Sequence, residues 1–200
     1  MVSINPIKLS GNWAQGYALD IHTIDSIFLG YDEYGHEVFD TKRSAMGELL
    51  YRIKYKSDKT AIDEIIDTAV DFLENRWEIV NTITAIIPVP PSKIRGAFQP
   101  VLEIAKSLSS RLRIPFHDDV VVKIKETPEL KDVYEYDKRM ELLKNVFGVK
   151  SNVLKEKSIL LLDDLFRSGA TLNAISEILY KQGNVRNVYV LTLTKTRSKA

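Results

Sequence analysis

Residues 158–194, SILLLDDLFRSGATLNAISEILYKQGNVRNVYVLTLT, restrict this chain's fold more than any other stretch. An unbroken apolar run predicts a strand buried on both faces, because a strand with one wet face would alternate. The segment GATLNAISEILYKQG has the spacing of a helix, with Gly183 placed as its C-terminal stop. NVYVLTLT then returns to a strand. Two parallel strands joined by a helix take a right-handed crossover. The alternation extends upstream. TAIIPVP (84–90) predicts a short buried strand stopped by prolines, and FQPVLEIAKSLSSRL a helix with Val101, Ile104, Ala105 and Leu108 on one face. DDVVVKI predicts a further strand and YEYDKRMELLKN a charged helix. The expected class is α/β, a parallel sheet flanked by helices.

The N-terminal part reads differently. From Tyr17 to Phe39 the pattern predicts two strands around the turn GYDEYGHE, with Gly30, Asp32 and Gly35 as turn formers and Leu19, Ile21, Ile27 and Phe28 as the apolar face. Helical character follows in KRSAMGELLYRIKY (42–55) and KTAIDEIIDTAVDFLENRW (59–77). In the second, Ile62, Ile65, Ile66, Ala69, Val70 and Leu73 form an amphipathic stripe. Nothing in the composition marks a linker. One domain over 1–200 is expected, with 1–41 as a hairpin extension and 42–200 as the core.

Composition mainly excludes. A net charge of +1 with 28% charged residues gives no global attraction to nucleic acid or anionic membrane. No apolar run approaches the roughly 20 residues that span a bilayer, and the N-terminus lacks the apolar stretch of a signal peptide. There are no cysteines, so disulfides and thiolate metal sites are ruled out and a reducing cytoplasm is the expected compartment. His22, His36 and His117 are scattered, which suits surface or packing positions better than ligation. Between Lys42 and Lys59 six basic residues stand against two acidic ones, either a solvated helix face or a local contact for an anion.

The chemistry concentrates in LLLDDLFRSGATL (160–172). Burying Asp163 and Asp164 together is costly unless a cation or hydrogen-bond donor meets them. They fall at the carboxyl end of the expected strand 159–162, where ligands bind in open parallel sheets. Gly169 lets the backbone turn and a ligand approach. Ser168 and Thr171 offer hydroxyls beside the free N–H groups of a first helical turn, an arrangement suited to phosphate. The carboxylates suit a diol or a divalent cation. Together they point to one ligand carrying a phosphate and a sugar diol. A solvated strand end with a capped helix would favour the same residue types.

The same stretch resembles the phosphoribosyl pyrophosphate (PRPP) signature of type I phosphoribosyltransferases: apolar residues, two acids, a short loop to Gly, then Thr. The resemblance implies that Asp163 and Asp164 hold the ribose hydroxyls and that Arg167, Ser168, Gly169, Ala170 and Thr171 hold the 5′-phosphate. IIPVPPSKIRGAFQPVLEIAKSL (86–108) is similar to the pyrophosphate-loop segment of ComF-type members, which gives Ser92, Lys93, Arg95 and Gly96 to pyrophosphate. KIKETPELKDVYEYDKRMELLKNVFGV (123–149) is similar to their flap, with Lys123 and Lys125 sharing a strand face toward pyrophosphate. YRIKYKSD (51–58) adds a weaker echo, so the likeness covers roughly residues 50–197.

The resemblance implies transfer of the phosphoribosyl group from PRPP to a nitrogen acceptor with release of pyrophosphate. Mg²⁺ would be held mainly through PRPP, with Asp163 and Asp164 as additional ligands. It also implies a homodimer. Two alternatives stay open: a PRPP- or nucleotide-binding regulator without turnover, and a ComF-like accessory in DNA uptake. The chain departs from the pattern in two ways. The paired cysteines with which ComF-type proteins often open are missing. Arg167 stands where 6-oxopurine enzymes carry an aspartate, and an arginine stays protonated and cannot act as a base. Hypoxanthine and guanine are therefore disfavoured as acceptors.

Overall fold

The computed structural model describes residues 1–91, 98–127, 133 and 135–197. Its centre is a five-stranded sheet in the order β1 (Ile7–Lys8), β2 (Gln15–Ile21), β9 (Asn187–Lys195), β8 (Ser158–Phe166), β5 (Ala85–Pro88). β2, β9, β8 and β5 run parallel, and β1 closes one edge antiparallel. The expected α/β class, a mostly parallel sheet flanked by helices, is the one found.

Side-chain alternation along the strands builds two cores. Leu160 and Leu162 of β8 join Leu19, Leu191 and Leu193 beneath helices α1 (Ala45–Lys56), α2 (Ala61–Asp71) and α3 (Pro100–Leu112). Ile159 and Leu161 join Ala18, Val188 and Val190 on the opposite face, under helix α5 (Ala170–Lys181). Each such side chain contributes about 1.5–3 kcal/mol on burial. Covering both faces is why these strands read as continuous apolar runs. No helix among the described residues is long and apolar enough to cross a membrane.

The hairpin expected over Tyr17–Phe39 is two structures. β2 belongs to the central sheet, because Ala18 and Leu19 are each buried in a different core, which a ribbon with one apolar face cannot provide. The projecting hairpin is β3 (Thr23–Tyr31) paired with β4 (Glu37–Arg43), and its Ile27 and Phe28 are 56% and 48% exposed instead of packed. Phe28 stacks against Phe39 and Tyr31 within the ribbon.

The strand expected in DDVVVKI also lies outside the central sheet. Residues 115–117 take the edge position instead, bonding Ile86 through the Pro115 carbonyl and the His117 N–H. β6 (Val121–Lys123) then pairs antiparallel with β7 (Phe147–Val149), next to helix α4 (Tyr136–Leu143). β6 ends at Lys123, so Lys125 lies beyond the strand in which both were expected.

Candidate functional site

β8 continues four residues past its apolar run. Asp163 sits opposite Thr192 of β9, and pairing persists to Phe166 opposite Lys195. The strand expected to stop at Leu162 therefore carries both aspartates within its last turn of pleat, and only Arg167, Ser168 and Gly169 separate it from α5. Successive strand residues point to opposite sides. Asp164 faces α1, and Asp163 turns the other way, its Oδ1 accepting the Asp164 N–H at 2.8 Å. Burial first, and the Asp164 charge second, push the Asp163 carboxyl up to about 8. The carboxyl thus keeps its proton to higher pH than an ordinary aspartate.

Among the described residues a cation, Lys54, meets Asp164, its Nζ 2.5 Å from Oδ2. Its placement follows from the start of α1. Ser44 caps the helix, Oγ accepting from the Gly47 N–H at 3.0 Å and donating to the Ile21 carbonyl. At Gly47 a Cβ would sit 2.1 Å from the His22 carbonyl oxygen, so only glycine lets the helix cross the end of β2 there. Lys54, seven residues and about two turns on, lies on the same face and reaches β8. The basic stretch 42–59 signalled this contact, but only the fold selects Lys54 from its six cations.

His22 completes this end of the sheet. Its Nδ1 is 3.2 Å from Thr194 Oγ1, which donates to the Asp164 carbonyl at 3.1 Å. Burial, then the Lys54 and Arg43 charges, hold its imidazole below the ordinary range. Sequence spacing offered no sign of this position.

The loop turns at Gly169, with φ +79°, and a Cβ there would lie 2.9 Å from the Phe166 ring. Ser168 Oγ accepts from the Ala170 N–H at 3.4 Å. The remaining N–H groups of the first turn of α5 point out of the helix at its positive end. Arg167 is exposed, Ser168 and Thr171 are half-buried, and Gly169 and Ala170 are buried. Arg139 of α4, which spacing did not single out, reaches Ser168 Oγ with Nη1 at 3.3 Å. α4 is held there by Tyr136, whose hydroxyl accepts from Asn173 Nδ2 at 2.8 Å.

The structure brings Asp163, Asp164 and the loop 167–171 together at the carboxyl end of β8. Ser92, Lys93, Arg95 and Gly96 lie outside the described residues. Lys123 is largely covered and pairs with Glu126 at 3.6 Å, whereas Lys125 is exposed. Among the described residues no group of three or more His, Asp or Glu side chains converges on one point. The oxygen donors of Asp163 and Asp164 suit a hard cation that brings its other ligands with the substrate.

No family model matches the chain. Solved structures similar to it include phosphoribosyltransferases. Adenine phosphoribosyl transferase from Trypanosoma brucei, in complex with AMP, pyrophosphate and ribose-5-phosphate, aligns with a TM-score of 0.50 at 13% identity, over 96% of this chain and 86% of that one. Orotate phosphoribosyltransferase from Aeropyrum pernix aligns at 0.46 and 18% identity, over 87% and 76%. The chain has the fold of the type I phosphoribosyltransferases. In sequence it is similar to Competence protein F from Haemophilus influenzae, 36% identical over 105 residues, which are 50% of this chain and 45% of that protein. The chain thus matches less than half the length of this curated relative.

Proposed function

We propose that this chain is a phosphoribosyltransferase that binds PRPP with Mg²⁺ and passes the phosphoribosyl group to a nitrogen acceptor. The observation that carries the reading is the junction at the end of β8, where five residues, the last three of them the loop 167–169, separate a carboxylate pair from the N-terminus of α5. Asp164 and Arg167 are three residues apart, at most about 10 Å along an extended chain. That is the span of a sugar diol and its 5′-phosphate.

In this reading Asp163 and Asp164 hold the ribose hydroxyls. The N–H groups and hydroxyls of 167–171 hold the 5′-phosphate. Ser92, Lys93, Arg95, Gly96, Lys123 and Lys125 are assigned to pyrophosphate. The C1–O bond to pyrophosphate breaks with its electron pair leaving on pyrophosphate, the acceptor nitrogen forms the C1–N bond, and that nitrogen loses its proton. Mg²⁺, when bound, supplies positive charge to the leaving pyrophosphate. The chain contributes positioning and a preorganised field.

The likeness to Competence protein F favours a second reading, in which the site binds PRPP or a nucleotide without turnover, as a regulator or a DNA-uptake accessory. Calorimetric titration with PRPP and Mg²⁺ tests the donor site. Saturable binding is expected for the wild type and its loss in Asp163→Asn/Asp164→Asn with the fold retained. A folded double variant that binds normally refutes the assignment. Pyrophosphate release on adding nitrogen bases then separates enzyme from sensor.

A further inference from the structure

We propose that His22, just past the carboxyl end of β2, is the base of the reaction: its Nε2 accepts the proton that the acceptor nitrogen loses. The inference rests on the phosphoribosyltransferase reading and gives a residue to the one step that the aspartates and the phosphate loop do not serve. The hydrogen bonds decide the tautomer. The Thr194 hydroxyl has one proton, and it goes to the Asp164 carbonyl at 3.1 Å, because a carbonyl only accepts. In the 3.2 Å contact between Thr194 Oγ1 and His22 Nδ1 the donor is therefore Nδ1–H. A neutral ring protonated on Nδ1 carries its lone pair on Nε2. Among the described residues the ring's hydrogen bond is the one from Nδ1, which leaves Nε2 to a ligand. Burial and the Lys54, Arg43 and Arg167 charges disfavour the imidazolium, against an opposing pull from Asp164, so the ring is neutral at neutral pH.

Strand order puts His22 on the required side of the sugar. β2, β9, β8 and β5 are neighbours in that order and all parallel, so their carboxyl ends form one edge. β8 carries the aspartates assigned to the diol, and the segment assigned to pyrophosphate follows β5 in the chain. A nitrogen that displaces pyrophosphate from C1 comes in on the face opposite the leaving group. That is the side of β9 and β2, where the Thr194 hydroxyl links Asp164 to His22. The residue is fixed from two directions: its N–H donates to the Lys195 carbonyl at 2.8 Å, and its carbonyl accepts from the Ser44 N–H at 3.4 Å. In the step, the C1–O bond breaks with its electron pair leaving on pyrophosphate as the acceptor nitrogen forms C1–N. The N–H pair stays on nitrogen and the proton moves to Nε2. Asp164 stabilises the resulting imidazolium, and Lys54 and Arg43 favour release of the proton to water.

The test uses the full chain with His22→Asn and His22→Gln. The Asn amide can still donate toward Thr194 and removes Nε2; the Gln amide can accept a hydrogen bond where Nε2 stood and cannot take the proton. Three readouts are compared: PRPP with Mg²⁺ by calorimetry, pyrophosphate release with adenine and with orotate as probe acceptors, and the imidazole nitrogen resonances in ¹⁵N NMR. The wild type is expected to show His22, assigned by the signals its variants lose, as the neutral Nδ1–H tautomer. Both variants should bind PRPP as the wild type does and release pyrophosphate about 10²- to 10⁴-fold more slowly, the range for a lost general base. An Nε2–H tautomer overturns the proposal. So does unchanged release in either variant, or a fall in release that PRPP affinity accounts for, which would mark a structural role. A wild type that binds PRPP and turns over neither probe also removes the base while the donor site stands. Failure of the wild type to bind PRPP refutes the phosphoribosyltransferase reading itself. If neither variant folds, the wild-type tautomer decides, together with the shift of the Nε2 resonance when adenine or orotate is added with PRPP; no shift overturns the proposal.

Discussion

Replacing Lys54 by Met removes the cation that, among the described residues, is paired with Asp164, while keeping the length of the stem. Its partner Asp164 is 17% exposed and Lys54 itself 29%, so the ion pair is neither a surface pair nor a fully buried one. Exposed pairs contribute about 0.2–1 kcal/mol, and removing one member of a buried pair costs about 3–5 kcal/mol. A loss of about 2 kcal/mol lies between them, or about 4–8 °C in melting temperature for a chain of this size. The cost arises because Asp164 is left uncompensated beside Asp163, and Lys54 is also one of the influences that lower the Asp163 carboxyl. Without it, protonation of Asp163 extends to higher pH. The assay is urea denaturation at pH 7 of the wild type, Lys54→Met, Asp164→Asn and the double variant. If the pair is the source of the loss, Lys54→Met/Asp164→Asn should be more stable than the two single losses summed, by about 1 kcal/mol or more. Additivity within about 0.5 kcal/mol would mean that the two side chains do not act on each other, and the reasoning would be wrong.

The raised Asp163 carboxyl makes stability depend on pH. Its unfolded value is near 3.8 and its folded value about 8, so the folded state keeps a proton that the unfolded chain releases. The contribution is full below about pH 4 and is lost as pH rises toward 8, at up to about 1.4 kcal/mol per pH unit. Denaturation at a series of pH values should therefore show wild type losing stability relative to Asp163→Asn between pH 5 and 8, and a flat difference would contradict it. Gly47→Ala separates two opposed effects. Helix propensity alone would gain about 1 kcal/mol, but a Cβ 2.1 Å from the His22 carbonyl forces the backbone apart, and overpacking of this kind costs about 1–3 kcal/mol or more. Thermal denaturation should show a net loss.

The parts of the site that were legible are those whose partners are neighbours in sequence. Strand, acids, turn and helix lie consecutively in 158–181, and each is specified by its own residues: an apolar run, Gly169 at positive φ, and an amphipathic repeat ending near Gly183. The hairpin failed for a physical reason. Leu19 and Ile27 look alike in an alternating pattern, yet one is buried between a helix and a central strand and the other stands in solvent. Nothing local distinguishes a strand that will pair with β9, about 170 residues away, from one that pairs only with its neighbour. The strand expected in DDVVVKI is shortened similarly, since only three residues of β7 pair with it.

Lys54 and Arg139 were invisible for a deeper reason than distance. Each does ordinary things for its own helix, and its importance comes from what a different strand presents to it. A near-neutral total charge says nothing of this placement: Lys54 stands against the carboxylates at one end of the junction, and Arg139 reaches Ser168 at the other. At the acid end an incoming diol or metal ion must compete with an ammonium group already 2.5 Å from Asp164. Asp164 is thus already held by Lys54, and one polar group at each end of the junction comes from a helix that no local motif includes.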